Sequence, residues 1–286
     1  MRLGVGLDLS TEDPDEMARQ YVQAGYGAAV CPPVSLEQPD RMRQIQTAFA
    51  RRDVLLAEIG VWNNMLAADP AQRAANLQAN VNSLSIAEEM GIPCCVNIAG
   101  SFHPTYWDGP HARNLTDEAF EAVVENVRYV IDAVKPKRSK FCIETMPWAV
   151  PDSPNSYLKL VASVSREAFG VHLDPVNWIN SPERYFNNAT MLKESFDLLG
   201  KWIVSCHAKD ISLDRRLTVH LDEVRPGLGN LDYALYLRLL ARLPENISLI
   251  IEHLPQSEYA LARDHILEVA VKTGVSFHHP AGLAQP

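Results

Sequence analysis

Four polar residues stand at the ends of short apolar runs in the second half of the sequence. Glu144 ends the run FCIE, Asp174 ends VHLD, His207 ends IVSCH and Glu252 ends LIIE. A carboxylate at the edge of a buried strand costs several kcal/mol unless it is protonated, paired or bound to a cation. If these four run ends meet in space, they therefore predict a site for one divalent metal ion.

The donor types restrict which ion such a site would hold. Three carboxylates and one imidazole suit Mn²⁺, Mg²⁺, Co²⁺ or Zn²⁺, with coordination positions left open for water or substrate. Any single carboxylate of the set could instead cap a helix or pair with a neighbouring cation such as Lys209 or Arg215. The recurrence of the pattern at four successive runs favours the metal.

The elements that would position these residues are eight apolar, β-branched runs of a length typical of strands. They begin at Leu3, Gly27, Val54, Cys94, Lys140, Gly170, Trp202 and Ile247. Segments with helical patterns lie between them, at residues 13–25, 71–91, 116–134, 156–164, 182–199, 231–243 and 257–273. Asp13 and Thr116 are predicted N-caps, and Gly25 and Gly91 are predicted helix ends.

Alternation of strands and helices demands parallel strands, because each helix returns the chain to the same end of the sheet. We therefore predict the α/β class, as a (β/α)8 TIM barrel forming a single domain over 1–286, with the tail 277–286 outside the barrel core. The chain length of 286 residues agrees with the roughly 250 residues typical of such barrels. An open doubly wound sheet is the competitor, but Gly227-Leu228-Gly229 lacks the third glycine of a dinucleotide-binding loop.

Charge and composition favour a small-molecule partner. The formal net charge of -9 opposes binding to nucleic acid or to an anionic membrane surface. The first ten residues, MRLGVGLDLS, lack a secretory signal pattern, so we expect a cytoplasmic protein with no membrane partner. Five cysteines, all in apolar runs, predict buried thiols without disulfides. The sequence is compatible with a homo-oligomer.

On these residues the chain resembles the xylose isomerase-like TIM-barrel superfamily. Within it the likeness is to the sugar phosphate isomerase/epimerase group, which contains ketose 3-epimerases, hydroxypyruvate isomerase and inosose dehydratase. The segments that carry it are IET around Glu144, HLDPVN around Asp174, SCHAKD around His207, PGLGNLDY from Pro226 and IIEH around Glu252.

The resemblance implies that Glu144, Asp174, His207 and Glu252 bind one metal ion. It also implies that Glu144 and Glu252 are catalytic, one removing a proton beside the carbonyl of a sugar and the other returning it. The expected activity is a metal-dependent isomerase or epimerase of a sugar or sugar phosphate, acting through an enediolate that the cation stabilises. Loss of a hydroxyl instead would make the enzyme a dehydratase of a keto-inositol or sugar.

Six further residues near the predicted strand ends are expected to contact or support a carbohydrate substrate. They are Lys209, Asn177, His172, Trp148, Trp178 and Asn97. Asn177 stands where sugar epimerases of the group commonly have a histidine, three residues after the metal-binding aspartate. His172 should share the inward side of its strand with Asp174, because side chains alternate along a strand.

Two other classes of function compete with proton transfer. Endonuclease IV resembles this barrel and uses a three-zinc cluster, but it needs a histidine where Asn177 stands and an Asp-x-His pair that this sequence lacks. A barrel that binds a sugar without catalysis is the other alternative, and keeping buried carboxylates without a function would only cost stability.

Overall fold

The computed structural model describes residues 1–280, in which eight parallel strands form a closed barrel. Each of the eight predicted runs forms one barrel strand, so the predicted TIM-barrel fold is confirmed. The order of strands around the barrel is β1-β10-β7-β6-β5-β4-β3-β2, and β8 pairs with β9 in a separate antiparallel hairpin. The strands are β1 (Arg2–Val5), β2 (Ala28–Val30), β3 (Leu55–Gly60), β4 (Cys94–Asn97), β5 (Lys140–Glu144), β6 (Phe169–Leu173), β7 (Ile203–Ala208), β8 (Asp210–Asp214), β9 (His220–Val224) and β10 (Ser248–Ile251).

The helices follow the predicted pattern with two differences. They are α1 (Pro14–Gln23), α2 (Pro39–Arg51), α3 (Pro70–Met90), α4 (Asp117–Val134), α5 (Pro154–Val164), α6 (Pro182–Phe186), α7 (Asn188–Leu199), α8 (Tyr233–Leu240) and α9 (Tyr259–Thr273). Helix α2 was not predicted, although it buries Met42, Ile45 and Phe49 at helical spacing. Among the described helices, none combines the length and the hydrophobicity needed to cross a lipid bilayer.

The segment predicted as one helix over 182–199 is two helices, and Asn188 accounts for the break. Its side-chain Nδ2 donates to the carbonyl oxygen of Tyr185 at 2.8 Å and to that of Asn230 at 3.0 Å. The carbonyl group of Tyr185, which a continuous helix would have used, is therefore satisfied by a side chain. This ends α6 and lets α7 start in a new direction.

The predicted helix ends are confirmed. The carboxylate of Asp13 accepts a hydrogen bond from the Asp15 backbone, and the hydroxyl of Thr116 accepts one from the Ala119 backbone. Gly25 and Gly91 have φ angles of 81° and 69°, in the left-handed region that glycine adopts without a Cβ penalty. Each such N-cap contributes about 1 kcal/mol to its helix.

By their internal contacts the residues form two compact units. The first contains Met1–Ala57, Asp174–Phe196 and the described residues from Ser205 onwards; the second contains Glu58–Leu173 and Asp197–Val204. In the first unit Ala28, Ala57 and Ile250 form a buried apolar cluster. In the second, Cys94, Val96 and Cys142 do so. All five cysteines are buried thiols, and none is joined in a disulfide.

The described part of the predicted tail packs against the first unit. Phe277 is buried, the His278 backbone N–H donates to the Met1 carbonyl at 2.8 Å, and the His278 ring lies 2.5 Å from the Asp53 carboxylate. Asp53 in turn pairs with Arg2 at 2.8 Å. The remaining tail residues, 281–286, lie outside the described chain.

Candidate metal centre

Three of the four predicted ligands meet within the first unit. Asp174 directly follows β6, His207 lies near the end of β7, and Glu252 directly follows β10. Nδ1 of His207 lies 2.8 Å from Oε1 of Glu252 and 4.0 Å from Oδ2 of Asp174. Asp174 and His207 are buried, and Oδ1 of Asp174 accepts a hydrogen bond from the Val176 backbone at 2.9 Å. That bond fixes the carboxylate with its other oxygen turned toward His207.

These donor atoms fit a single divalent cation. An ion with bonds of about 2.1 Å holds neighbouring ligand atoms about 3 Å apart and opposite ones about 4 Å apart. The 2.8 Å and 4.0 Å separations fall at these values, and one ligand atom from each of the three residues lies within 4.8 Å of the others. Two carboxylates and an imidazole are also the donor chemistry that Mn²⁺, Co²⁺ and Zn²⁺ accept.

Lys209 lies among these carboxylates. Its Nζ is 2.9 Å from Oδ2 of Asp174 and 2.7 Å from Oε1 of Glu252, and its side chain is 2% exposed. The ammonium therefore contacts two of the predicted metal ligands. The structure shows the pairing with Lys209 that the sequence left open as an alternative for a single carboxylate, and it involves two of them.

The surroundings of Glu252 keep it ionised. Burial raises the pKa of this carboxyl group, but the nearby His207 and Lys209 outweigh burial and hold the pKa well below its ordinary value. A carboxylate held in its charged form is suited to bind a cation or to accept a proton.

Asp210, the last residue of the SCHAKD segment, holds the loop that follows the hairpin. Its carboxylate accepts backbone hydrogen bonds from Gly227 and Gly229 at 3.0 Å and from Leu231 at 2.9 Å. A Cβ added at Gly229 would overlap the Asp210 carboxylate, so only glycine allows this approach. The contact therefore anchors the PGLGNLDY segment to the SCHAKD segment, which contains the candidate ligand His207.

Two tyrosines of α8 hold the backbone of β7 and the residue that follows it. The hydroxyl of Tyr236 donates to the carbonyl oxygen of His207 at 3.1 Å, and that of Tyr233 donates to the carbonyl oxygen of Lys209 at 2.7 Å. Burial raises the pKa of both phenols well above the ordinary value, so they remain donors. Sequence reasoning missed both residues, because a tyrosine on an apolar helix face gives no sign of its polar partner.

The hairpin adds a further acidic group to the first unit. Glu223 on β9 lies 3.8 Å from Nζ of Lys209 and 3.3 Å from Nδ1 of His253, which has a positive φ of 56°. The hydrogen bond with Glu223 raises the pKa of His253. Sequence reasoning missed Glu223, because neither strand of the hairpin was predicted.

In the second unit, Glu144 is the last residue of β5 and is buried, as predicted. Its Cα is the register partner of His172 on β6. His172 is fully buried, and its Nε2 lies 3.1 Å from the carboxylate of Glu58, which comes from inside β3. Sequence reasoning missed Glu58; the only signal was a carboxylate inside the run VLLAEIG rather than at its end.

Asn97 is fully buried, at the end of β4, in a network of side-chain amides. Its Nδ2 donates to the amide oxygens of Asn63 and Asn80 at 3.0 Å, and its Oδ1 accepts from the Asn63 backbone at 3.3 Å and from the Ile98 backbone at 2.8 Å. These bonds use the donors and acceptors of the amide. Asn97 therefore ties the loop after β3 to β4 and is not placed to meet a substrate directly.

The remaining predicted contacts differ in exposure. Trp148 is 38% exposed, and its indole N–H donates to the Asp108 carbonyl at 2.7 Å. Asn177 is half-buried in the turn that follows Asp174. Trp178 is fully buried, so its ring packs inside the protein. Of the two tryptophans, only Trp148 presents a surface to a ligand.

Comparison with known proteins identifies relatives of this barrel. The model of the family described as xylose isomerase-like TIM barrel matches residues 19–269. No curated protein sequence matches the chain.

Solved structures with different activities share the fold. D-psicose 3-epimerase from Clostridium cellulolyticum H10, solved with D-tagatose, has a TM-score of 0.67 at 14% identity over 97% of this chain and 100% of that one. The probable 3-DHS dehydratase of petrobactin synthesis from Bacillus anthracis has a TM-score of 0.68 at 13% identity, covering 95% and 99%. Endonuclease IV from Thermus thermophilus has a TM-score of 0.70 at 13% identity, covering 95% and 100%. At these identities the likeness establishes the fold, which serves epimerases, a dehydratase and a nuclease.

Proposed function

Because the chain belongs to the xylose isomerase-like TIM barrel family, we propose that it is a divalent-metal-dependent isomerase or epimerase of a sugar or sugar phosphate. The observation that carries the proposal is the convergence of Asp174, His207 and Glu252 on one point at the ends of β6, β7 and β10. Their spacing suits one divalent ion, which would neutralise the buried carboxylates.

We propose Glu144 as the fourth ligand. It ends β5, and in a barrel of parallel strands the carboxyl ends of all the strands face the same end. The ion would be Mn²⁺, Mg²⁺, Co²⁺ or Zn²⁺.

The two glutamates divide the proton transfer. The bound cation would stabilise the negative charge that develops on the substrate oxygens as the proton leaves. Glu252, held ionised by His207 and Lys209, accepts the proton from the carbon beside the carbonyl. Glu144 returns a proton to the enediolate. Return to the opposite face gives epimerisation, and return to the adjacent carbon gives aldose-ketose isomerisation.

Other predicted residues take supporting roles in this proposal. Lys209 adds positive charge beside the substrate oxygens, and Asn177 and Trp148 contact the sugar from the turns after β6 and β5. His172 and Asn97 hold the strand ends in place through Glu58 and the asparagine network. Trp178 contributes packing only.

Exchange of carbon-bound hydrogen tests the proposal. Protein loaded with Mn²⁺ is incubated in deuterated water with ketoses, ketose phosphates and keto-inositols, and deuterium incorporation is followed by NMR. We expect exchange at the carbon beside the carbonyl for at least one substrate class. Glu144→Gln and Glu252→Gln should strongly weaken the proton transfer while the protein stays folded, because an amide keeps the shape of the side chain but can neither accept nor return the proton.

Glu121→Gln, on the exposed surface of α4, is the matched control and should retain full exchange. Loss of water from the substrate would identify a dehydratase instead. Nicking of abasic DNA would identify an endonuclease IV-like enzyme. Sugar binding with no exchange in any class would leave a non-catalytic barrel.

A further inference from the structure

A cavity of about 560 Å³ lies within the second unit. The loops that follow β3 and β4 and the first turns of α3 form its walls. The lining residues that bear on its chemistry are Trp62, Gln72, Asn76, Phe102, His103 and Trp107. Its volume falls within the usual range for small-molecule sites.

Two tryptophans give the cavity exposed aromatic surfaces. Trp62 is 45% exposed and Trp107 is 40% exposed, although large aromatic side chains are usually covered. Trp62 is also held in place, because a Cβ added at Gly60 would overlap Nε1 of its indole. The ring rests against the backbone at the end of β3, in a position that a larger residue at 60 would not permit.

Hydrogen bonds hold the amide and imidazole groups of the cavity in place. The side chain of Gln72 donates to Oδ1 of Asn76 at 2.8 Å, and Asn76 donates to the carbonyl oxygen of Asn64 at 2.7 Å. Nδ1 of His103 accepts backbone hydrogen bonds from Thr105 and Tyr106 at 3.1 and 2.9 Å. Because Nδ1 of His103 accepts, the ring N–H lies at Nε2, so His103 offers a donor there.

The charge of the lining discriminates among ligands. Among the described residues that line the cavity there is no lysine or arginine, and there is one carboxylate, Asp69. A phosphate or carboxylate ligand would lack a cationic partner. Flat aromatic surfaces beside neutral amide groups instead suit a ligand with apolar faces and hydroxyl edges.

We propose that this cavity binds a neutral sugar ring that stacks on Trp62 or Trp107 and forms hydrogen bonds with the amides and His103. The binding itself does not depend on the proposed catalysis. The ligand of this cavity is therefore a neutral sugar or glycoside rather than a sugar phosphate.

Ligand-detected NMR and calorimetry with the full-length protein test the site. The probes are cellobiose, maltose, lactose and phenyl β-glucoside, with glucose 6-phosphate as the anionic comparison. We expect saturable binding of at least one neutral probe and none of glucose 6-phosphate at this cavity. Trp62→Ala and Trp107→Ala should weaken binding about three- to tenfold, the usual value of an aromatic contact, and Trp62→Phe should restore part of it.

Tyr129→Ala is the control, since Tyr129 is an exposed aromatic residue on the outer surface of α4. It should leave binding unchanged. Absence of saturable binding by all four neutral probes would overturn the proposal, as would unchanged affinity in folded Trp62→Ala and Trp107→Ala proteins.

Repeating the titration after metal removal with EDTA separates this proposal from the proposed function. Binding in the cavity should persist without metal, whereas proton exchange should stop. Neutral-probe binding without exchange in any assay would leave the cavity assignment standing and remove the proposed catalysis.

Discussion

The ammonium of Lys209 lies 2.7 Å from Oε1 of Glu252, the same oxygen that lies 2.8 Å from Nδ1 of His207. One buried carboxylate oxygen is therefore shared by a lysine and by a candidate metal ligand. The ammonium and a metal ion would neutralise the same carboxylates, Asp174 and Glu252. Lys209 would thus stabilise the cluster before a metal ion binds and would compete with that ion for the same oxygens.

Replacing Lys209 with methionine tests this dual role. Methionine keeps much of the side-chain volume but removes the charge, so two buried carboxylates lose their cation. We expect the metal-free variant to lose roughly 3–5 kcal/mol of unfolding free energy, as when one partner of a buried ion pair is removed. Added Mn²⁺ should raise the melting temperature of the variant more than that of the wild type.

Lys272→Met is the control, because Lys272 is 68% exposed and pairs with Glu268 across one helical turn. Its unfolding free energy should change by no more than about 0.5 kcal/mol. An equally stable Lys209→Met protein without metal would contradict the role assigned to the ammonium.

Metal binding should depend on Asp174 with a stoichiometry of one ion per chain. Asp174→Asn removes the charge of a carboxylate whose other oxygen is already fixed by the Val176 backbone. We expect its Mn²⁺ affinity to fall by more than about 100-fold, because even partners that only orient a ligand are worth 10–100-fold. Calorimetry and elemental analysis measure both quantities. Asp197→Asn, on the exposed face of α7, should bind as the wild type does.

The barrel was predictable because every strand is built on a short apolar run. Periodicity locates such runs without knowledge of their neighbours. The hairpin of β8 and β9 was not predictable in this way, since its strands are largely polar and half-exposed and belong to no barrel layer. Helix α2 was missed although its buried residues Met42, Ile45 and Phe49 follow helical spacing.

The meeting of Asp174, His207 and Glu252 was predictable for a similar reason, because strand ends in a parallel barrel share one end. Their partners were not. Glu58 reaches His172 from a distant part of the sequence, and Tyr236 reaches the carbonyl of His207 from a helix. Contacts between residues distant along the chain leave no spacing pattern, so only the structure reveals them.

Asp210 should be required to order the loop that follows the hairpin. In Asp210→Asn the new NH2 group would face the backbone N–H groups of Gly227 and Gly229, which share one carboxylate oxygen. Each donor left unsatisfied costs roughly 1–3 kcal/mol, so we expect a loss of several kcal/mol and faster hydrogen exchange over residues 226–232. Urea unfolding and exchange mass spectrometry measure these effects.

Asp222→Asn is the control, because Asp222 is exposed on β9; it should change neither the stability nor the hydrogen exchange of the loop. Normal protection of the loop in Asp210→Asn would show that Asp210 does not anchor it.

Acid should weaken the attachment of the described tail through Asp53. Partial burial raises the pKa of this carboxyl group, but hydrogen bonds from His278 and Arg2 outweigh burial and lower it below the ordinary value. A carboxyl group whose pKa is lowered by folding stabilises the protein at pH values above its unfolded-state pKa of about 3.9. This contribution is lost as the pH falls through the pKa of the folded state. Asp53→Asn should therefore be less stable than the wild type at neutral pH, and the difference should shrink in acid.

Urea unfolding at about pH 7, 4 and 3, a series that spans the unfolded-state pKa of an aspartate, measures this trend. Asp264→Asn is the control, because Asp264 belongs to an exposed ion pair. A stability difference that stays constant across this series would show that the Asp53 carboxylate does not hold His278 by its charge.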